Sequence, residues 1–298
     1  MLATGREPVV ARARRTRENI GFVRYVLELR VSHANVDFVG EQKLADLLGM
    51  FEQAAVEASQ ACGWDPRAYA AAQRVWMIRR TRVWRWAAVG GLDQLRVETQ
   101  VADVRRARSL REYRVWSGSV LVAEAATDWV YCDVQRGRPV RIPEELAAAL
   151  HGGGAVPHCE RAPHPFETPA ESPEIETVTV QPSHLDHVQH VNNATYVDFL
   201  DNAALSWCGR QGWPLARMLA EGGALRPVGI DVEYLEDAGV GEFLEVATWG
   251  RWERDGEGPP RAASFWQVIR RPSGSTLLRA FAHYRWRQRS PVLGAPPS

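Results

Sequence analysis

The chain is short of lysine, of cysteine and of long apolar runs. Among its 36 basic residues Lys43 is the lone lysine. We read the arginine bias first as codon usage and only second as anion binding. Acidic residues also number 36, so the formal net charge is zero. A balanced chain has no field to draw it to nucleic acid or to an anionic membrane. Cys62, Cys132, Cys159 and Cys208 are scattered, without the close pairing of a zinc site or a disulfide framework. They are expected to be buried or neutral thiols in a reducing cytoplasm. No apolar stretch is long enough to span a bilayer. Residues 1–19 are rich in arginine but lack the apolar centre of a secretory signal. Neither a metal nor a cofactor is expected.

What is present is the composition of a globular protein, 45% hydrophobic and 24% charged over 298 residues, enough for two modest domains. Residues 23–31 alternate as a strand, and 41–62 carry an apolar stripe through Leu44, Leu47, Leu48, Phe51, Ala55 and Ala58, closed by Gly63. Four β-rich runs follow, at 74–87, 94–106, 110–123 and 125–133. Residues 139–174 hold a short helix (143–150), a triple glycine and a segment rich in Pro, His and Glu, which read as a linker. Then the order repeats: a strand at 175–181, a helix at 193–211 stopped by Gly212, and strands at 228–236, 242–252, 263–270 and 276–286. The repeat indicates an internal duplication. The expected fold is α+β, with two domains that each wrap an antiparallel sheet around one long helix. Expected boundaries are a disordered tail at 1–19, domain one at 20–138, the linker at 139–174, domain two at 175–289 and a loose tail at 290–298.

The segment from His184 to Asp201 carries the chemistry. A polar turn with one acid and three histidines leads into an amphipathic helix, with Asn192 or Asn193 where an N-cap belongs. A helix start offers free N–H groups and a positive dipole end to an oxyanion. Asp186 beside it can act as base or nucleophile, although aspartate in such a place is also an ordinary turn residue. The run Asp186-x-x-x-His190-Val191-Asn192-Asn193-x-x-Tyr196 resembles the signature of hotdog-fold thioesterases. It is most similar to the fatty acyl-ACP thioesterases, with some similarity to the 4-hydroxybenzoyl-CoA type.

That resemblance implies two tandem hotdog domains, with a pocket-shaping first domain and a catalytic second one. It implies catalytic roles for Asp186, His190, Asn193 (through its backbone N–H) and Asp237, with Asn192 and Tyr196 at the substrate. His190 has an intrinsic pKa suited to proton transfer, and a structural histidine is the competing reading. His184 and His187 read as solvated turn residues, and Tyr196 equally as core or pocket wall. Two positions depart from the family pattern. Val188 stands where an asparagine is usual, and Asp237-Ala238 stand for a Glu-Cys pair. These changes argue against a cysteine nucleophile. In the first half Asp37 precedes the helix, but without the His-Val-Asn-Asn run it reads as a turn residue.

Twelve tryptophans are many for this length. Trp76, Trp84 and Trp86 fall at even spacing, which places them on one face of a strand. They could line an acyl or aryl slot, with Trp76 the substrate-binding candidate. Arg79, with Arg80 and Arg82, could hold the phosphate of a pantetheine arm, or form a solvated face. The expected activity is hydrolysis of an acyl thioester, with acyl-ACP ahead of acyl-CoA, in fatty acid or polyketide chain release. The competing class is a protein on this scaffold that binds an acyl carrier without hydrolysis, or performs acyl transfer, dehydration or decarboxylation. A tandem chain is expected as a monomer or a homodimer.

Overall fold

The computed structural model describes residues 14–15, 25–151, 164, 166–253 and 258–289. Most of the expected first tail, the whole of the second, Cys159 and residues 152–163 and 165 of the expected linker lie outside the described residues; Arg14–Arg15, expected in the disordered tail, pair as a short strand with Tyr25 and Val26. In chain order the elements are β1 (Arg14–Arg15), β2 (Tyr25–Arg30), α1 (Leu44–Ala61), α2 (Pro66–Ala71), β3 (Arg74–Arg85), β4 (Gln94–Arg105), β5 (Arg108–Ser117), β6 (Val120–Asp133), β7 (Arg138–Pro139) and α3 (Glu144–His151). The second half contributes β8 (Glu174–Thr179), α4 (Asn193–Arg210), α5 (Leu215–Ala220), β9 (Gly223–Tyr234), β10 (Phe243–Glu253), β11 (Ala262–Arg270) and β12 (Thr276–Gln288).

The two halves match element for element: strand, long helix, short helix, then four strands. Their sheets join into one antiparallel sheet in the order β1-β2-β4-β5-β6-β3-β9-β12-β11-β10-β8, with β7 alongside β6. The seam is the β3–β9 pair, in register from Arg80↔Glu233 to Trp84↔Gly229. Arg80 clamps it with a bidentate bond to Asp231, 2.7 and 2.8 Å, and Arg79 bonds Glu233 at 2.9 Å.

The helices form for legible reasons. In α1, Leu44, Leu47, Leu48, Phe51, Ala54, Ala55 and Ala58 are all buried at helical spacing, so each turn adds apolar burial. The helix ends where Gly63 takes the left-handed conformation, φ 88°. For α4, Asn192 is the N-cap, and its side chain accepts from Ala194 N at 2.8 Å. Such a cap stabilises by about 1 kcal/mol. Gly212, φ 87°, follows its last turn. The two helices pack against each other inside the sheet.

Two expectations are corrected. The second hairpin of the first half turns at Gly118, φ 57°, between β5 and β6, not at Glu124. The Ser117-Gly118 signal outweighs the apolar continuity that ran the strand on to Ala123. Trp76, Trp84 and Trp86 do not share a face. A β-bulge between Ile78 and Arg80 adds a residue to β3 and inverts the alternation beyond it. Trp76 therefore faces the helices, 4.9 Å from Tyr131. Trp84 and Trp86 border a different cavity, with His164 and Asp231.

Candidate active site

The turn before α4 is built from local hydrogen bonds. A bridge between Leu185 and Val191 closes it, Asp186 N donates to His190 O at 2.9 Å, and Gln189 takes φ 68°. Asp186 Oδ1 accepts from Val188 N at 2.9 Å and His190 N at 3.3 Å. Oδ1 shapes the turn, while Oδ2 accepts no hydrogen bond among the described residues.

The first half repeats this turn. Asp37 Oδ1 accepts from Val39 N at 2.9 Å and Glu41 N at 3.1 Å, and a Val36–Gln42 bridge closes it. The surroundings differ. Asp37 is sealed against Arg226, which also binds Asp201 at 2.9 Å. Burial opposes the Arg226 charge, but Asp201 and Asp37 together push its pKa above the usual range. On β3, the position that matches Arg226 of β9 is Met77. No cation reaches Asp186 by that route.

Glu52 takes the place on α1 that Asp201 has on α4. Burial raises its pKa above the usual carboxylate range, and the Asp186 charge raises it further; a hydrogen bond from Asn192 works the other way. The Asn192 side chain therefore both caps α4 and holds Glu52 beside the Asp186 turn. Glu52 also borders a cavity of about 690 Å³ whose apolar walls include Val56, Trp64, Trp76 and Trp129. His187 and Val188, from the Asp186 turn, form one lip of it. A small void beside it touches Glu52, Trp129, Asn193 and Ala194, so open space reaches toward the start of α4. In the second half the matching space is packed: Trp207, Trp213, Met218 and Phe265 are all buried there.

His190 Nδ1 lies 3.4 Å from Asp237 Oδ2, with both side chains about half exposed (44% and 49%). The Asp237 carbonyl accepts from Arg271 at 2.7 Å. Asn193 opens α4, where a first-turn N–H has no intrahelical acceptor. The neighbouring Ala194 N–H is taken by the cap. Tyr196 is buried against Phe199 and Tyr234, and burial raises its pKa. Tyr234 OH reaches Asn193 O at 3.2 Å. Trp76 borders the cavity, whereas Arg79 is held at the seam by Glu233 and the Tyr234 carbonyl. His184 Nδ1 accepts from Gln181 N, a structural bond. Ala238 is buried, and its carbonyl accepts from Val191 N at 3.0 Å.

Sequence reasoning passed over Glu52. The available signal was the duplication: Glu52 and Asp201 are the acids at matching places on the two long helices. Among the described residues no cluster of three or more His, Cys, Asp or Glu is placed to hold a metal. No described helix is long and apolar enough to cross a membrane.

Two hotdog halves with an acid at each helix start, one sealed and one open, make up one tandem fold. Residues 23–150 match the family model described as the acyl-ACP thioesterase N-terminal domain. The fold is shared with a 12:0-ACP thioesterase from Umbellularia californica, with a TM-score of 0.69 at 16% identity over 89% of this chain and 94% of that one. It is also shared with an acyl-ACP thioesterase from Bacteroides thetaiotaomicron, with a TM-score of 0.62 at 17% identity over 88% and 98%. The acyl-CoA thioesterase YbgC of Haemophilus influenzae is 27% identical over 124 residues, 41% of this chain and 91% of the relative. The first half thus matches the acyl-ACP thioesterase N-terminal domain in sequence, and the chain as a whole shares the fold of acyl-ACP thioesterases.

Proposed function

We propose that this enzyme releases an acyl group from acyl carrier protein. Domain one (20–138) holds the chain, and domain two (175–289) supplies the chemistry. The observation that carries the reading is the asymmetry of the two helix starts: Asp37 is closed off by Arg226, whereas the turn that carries Asp186 forms a lip of a large apolar cavity through His187 and Val188.

The thioester carbonyl sits against the Asn193 N–H, where the α4 dipole and the free donor stabilise the oxyanion. Asp186 takes a proton from water as it adds to the carbonyl, or attacks the carbonyl directly to give a mixed anhydride that water then hydrolyses once the thiol has left. The C–S bond then breaks, and the departing thiolate takes up a proton. His190, oriented by Asp237, carries that proton between solvent and the site. Glu52, held by Asn192, keeps Asp186 from being the sole acid at the cavity and shares its proton economy. Substrate contact falls to Trp76 on the cavity wall and to Asn192 at the turn, with the buried Tyr196 packed on Phe199 and Tyr234.

The test is thiol release from a panel of acyl-ACP and acyl-CoA thioesters by wild type and Asp186→Asn. Turnover lost in a folded variant supports the reading; retained turnover overturns it. The YbgC relative makes CoA the second carrier to include. One chain contains both halves of the site, so we propose a monomer as the working unit, and sedimentation separates it from a homodimer.

A further inference from the structure

The cavity that the proposed function fills with an acyl chain has an unusual floor. Arg111, on β5, borders it and is only 6% exposed. Its one side-chain hydrogen bond among the described residues runs from Nη1 to Thr99 Oγ1, 3.2 Å. The titratable groups that act on it are Tyr113, Cys62 and Tyr69, none of them a carboxylate. Every other deeply buried arginine at the two helix starts has an acid beside it: Arg226 has Asp37 and Asp201, and Arg85 has Glu41 at 3.7 Å. A guanidinium keeps its proton in proteins, and a buried charge without a partner is costly.

Polar groups gather on the same walls. Ser59 and Tyr69 share a hydrogen bond of 2.8 Å, and Ser109, Gln73 and Gln135 also border the space. A pocket for a plain alkyl tail has no use for this arrangement, because each polar group would be desolvated against methylenes. The matching place in the second half shows the apolar solution. There the β11 residue paired across to β12 in the place of Arg111 is Phe265, wholly buried.

We propose that Arg111 receives an anionic oxygen group on the acyl chain itself, so that the preferred substrate is a carboxyl-bearing acyl thioester rather than a plain fatty one. This rests on the thioesterase reading but asks a separate question of the same site. The apolar tryptophan walls take the methylenes, and the planar fork of Arg111 pairs with the carboxylate in a bidentate fashion.

The experiment compares matched pairs of acyl-pantetheine thioesters, methyl-ended and carboxyl-ended, across a series of equal chain lengths. Wild type, Arg111→Met and Arg111→Lys are assayed for thiol release, and binding of the same pairs as non-hydrolysable thioethers is measured by calorimetry. The expected result is a preference of wild type for the carboxyl-ended member at one chain length, by about 10- to 100-fold in kcat/KM or Kd. Arg111→Met abolishes or reverses it, and Arg111→Lys restores part of it. Thermal melts check folding. Equal or stronger handling of the methyl-ended member by wild type, unchanged in Arg111→Met, overturns the proposal and leaves thioester hydrolysis standing. Binding with the expected preference but no turnover supports the Arg111 site and counts against the catalytic reading instead.

Discussion

Arg226 Nε lies 2.6 Å from Asp37 Oδ2, and the two side chains are almost wholly buried, at 2% and 3% exposure. The pair sits in the first half's copy of the turn that carries Asp186 in the second. One residue on β9 thus turns a potential acid into a structural ion pair.

That pair is expected to hold the fold and not the reaction. Arg226→Met leaves Asp37 and Asp201 buried together without their cation. The expected cost is about 3–5 kcal/mol, as for other buried pairs stripped of one partner. Urea unfolding measures it, and a loss within error of zero would show that the pair contributes no net stability.

Asp186→Asn keeps the turn, because an amide oxygen still accepts from Val188 and His190. Melting temperature should therefore change little. Turnover should fall by about 10²- to 10⁴-fold, the usual reach of a positioned acid–base group. Asp37→Asn, in the sealed copy, is expected to leave turnover near wild type in whatever fraction remains folded.

Glu52 gives a pH signature. Its folded-state pKa is raised, so folding favours the protonated form. The stability this contributes is present below the ordinary carboxylate pKa and is lost as pH rises through the raised one. Glu52→Gln removes that loss. The variant should melt at the same temperature as wild type in acid and above it at neutral pH. Activity should decline, since the group beside Asp186 no longer titrates. Parallel melts across the weakly acidic range check the first point, and pH–rate profiles the second.

Val56 borders the cavity and is 42% exposed, so a larger side chain there does not overpack the core. Val56→Trp is expected to shorten the preferred acyl chain while leaving turnover of the shortest substrates close to wild type. An unchanged chain-length profile would place the acyl group elsewhere.

Much of this was readable before any coordinates. Strong apolar periodicity marked α1 and α4, and residue type narrowed the cap of α4 to Asn192 or Asn193, between which the structure chooses Asn192. The repeated element order disclosed the duplication. Other features rest on contacts between segments far apart in sequence. Met77 and Arg226 differ in ways that matter only once β3 and β9 face the opposite helix starts. Glu52 looks like a solvated helix residue until α4 is laid against α1. The bulge at Arg79 left no local mark, so the even spacing of Trp76, Trp84 and Trp86 misled. Helices α2 and α5 were too short for periodicity to disclose.

The seam through β3 and β9 joins the two halves by hydrogen bonds, and the polypeptide between α3 and β8 joins them covalently. In a pair of identical single domains, any substitution that plugs one helix start plugs both, because symmetry copies it. Fusion breaks that bond between the copies. A cation could be installed against Asp37 while its counterpart stayed methionine, and tryptophans could fill one half while the other hollowed out. The division of labour seen in this chain is one that a symmetric assembly of one sequence cannot reach.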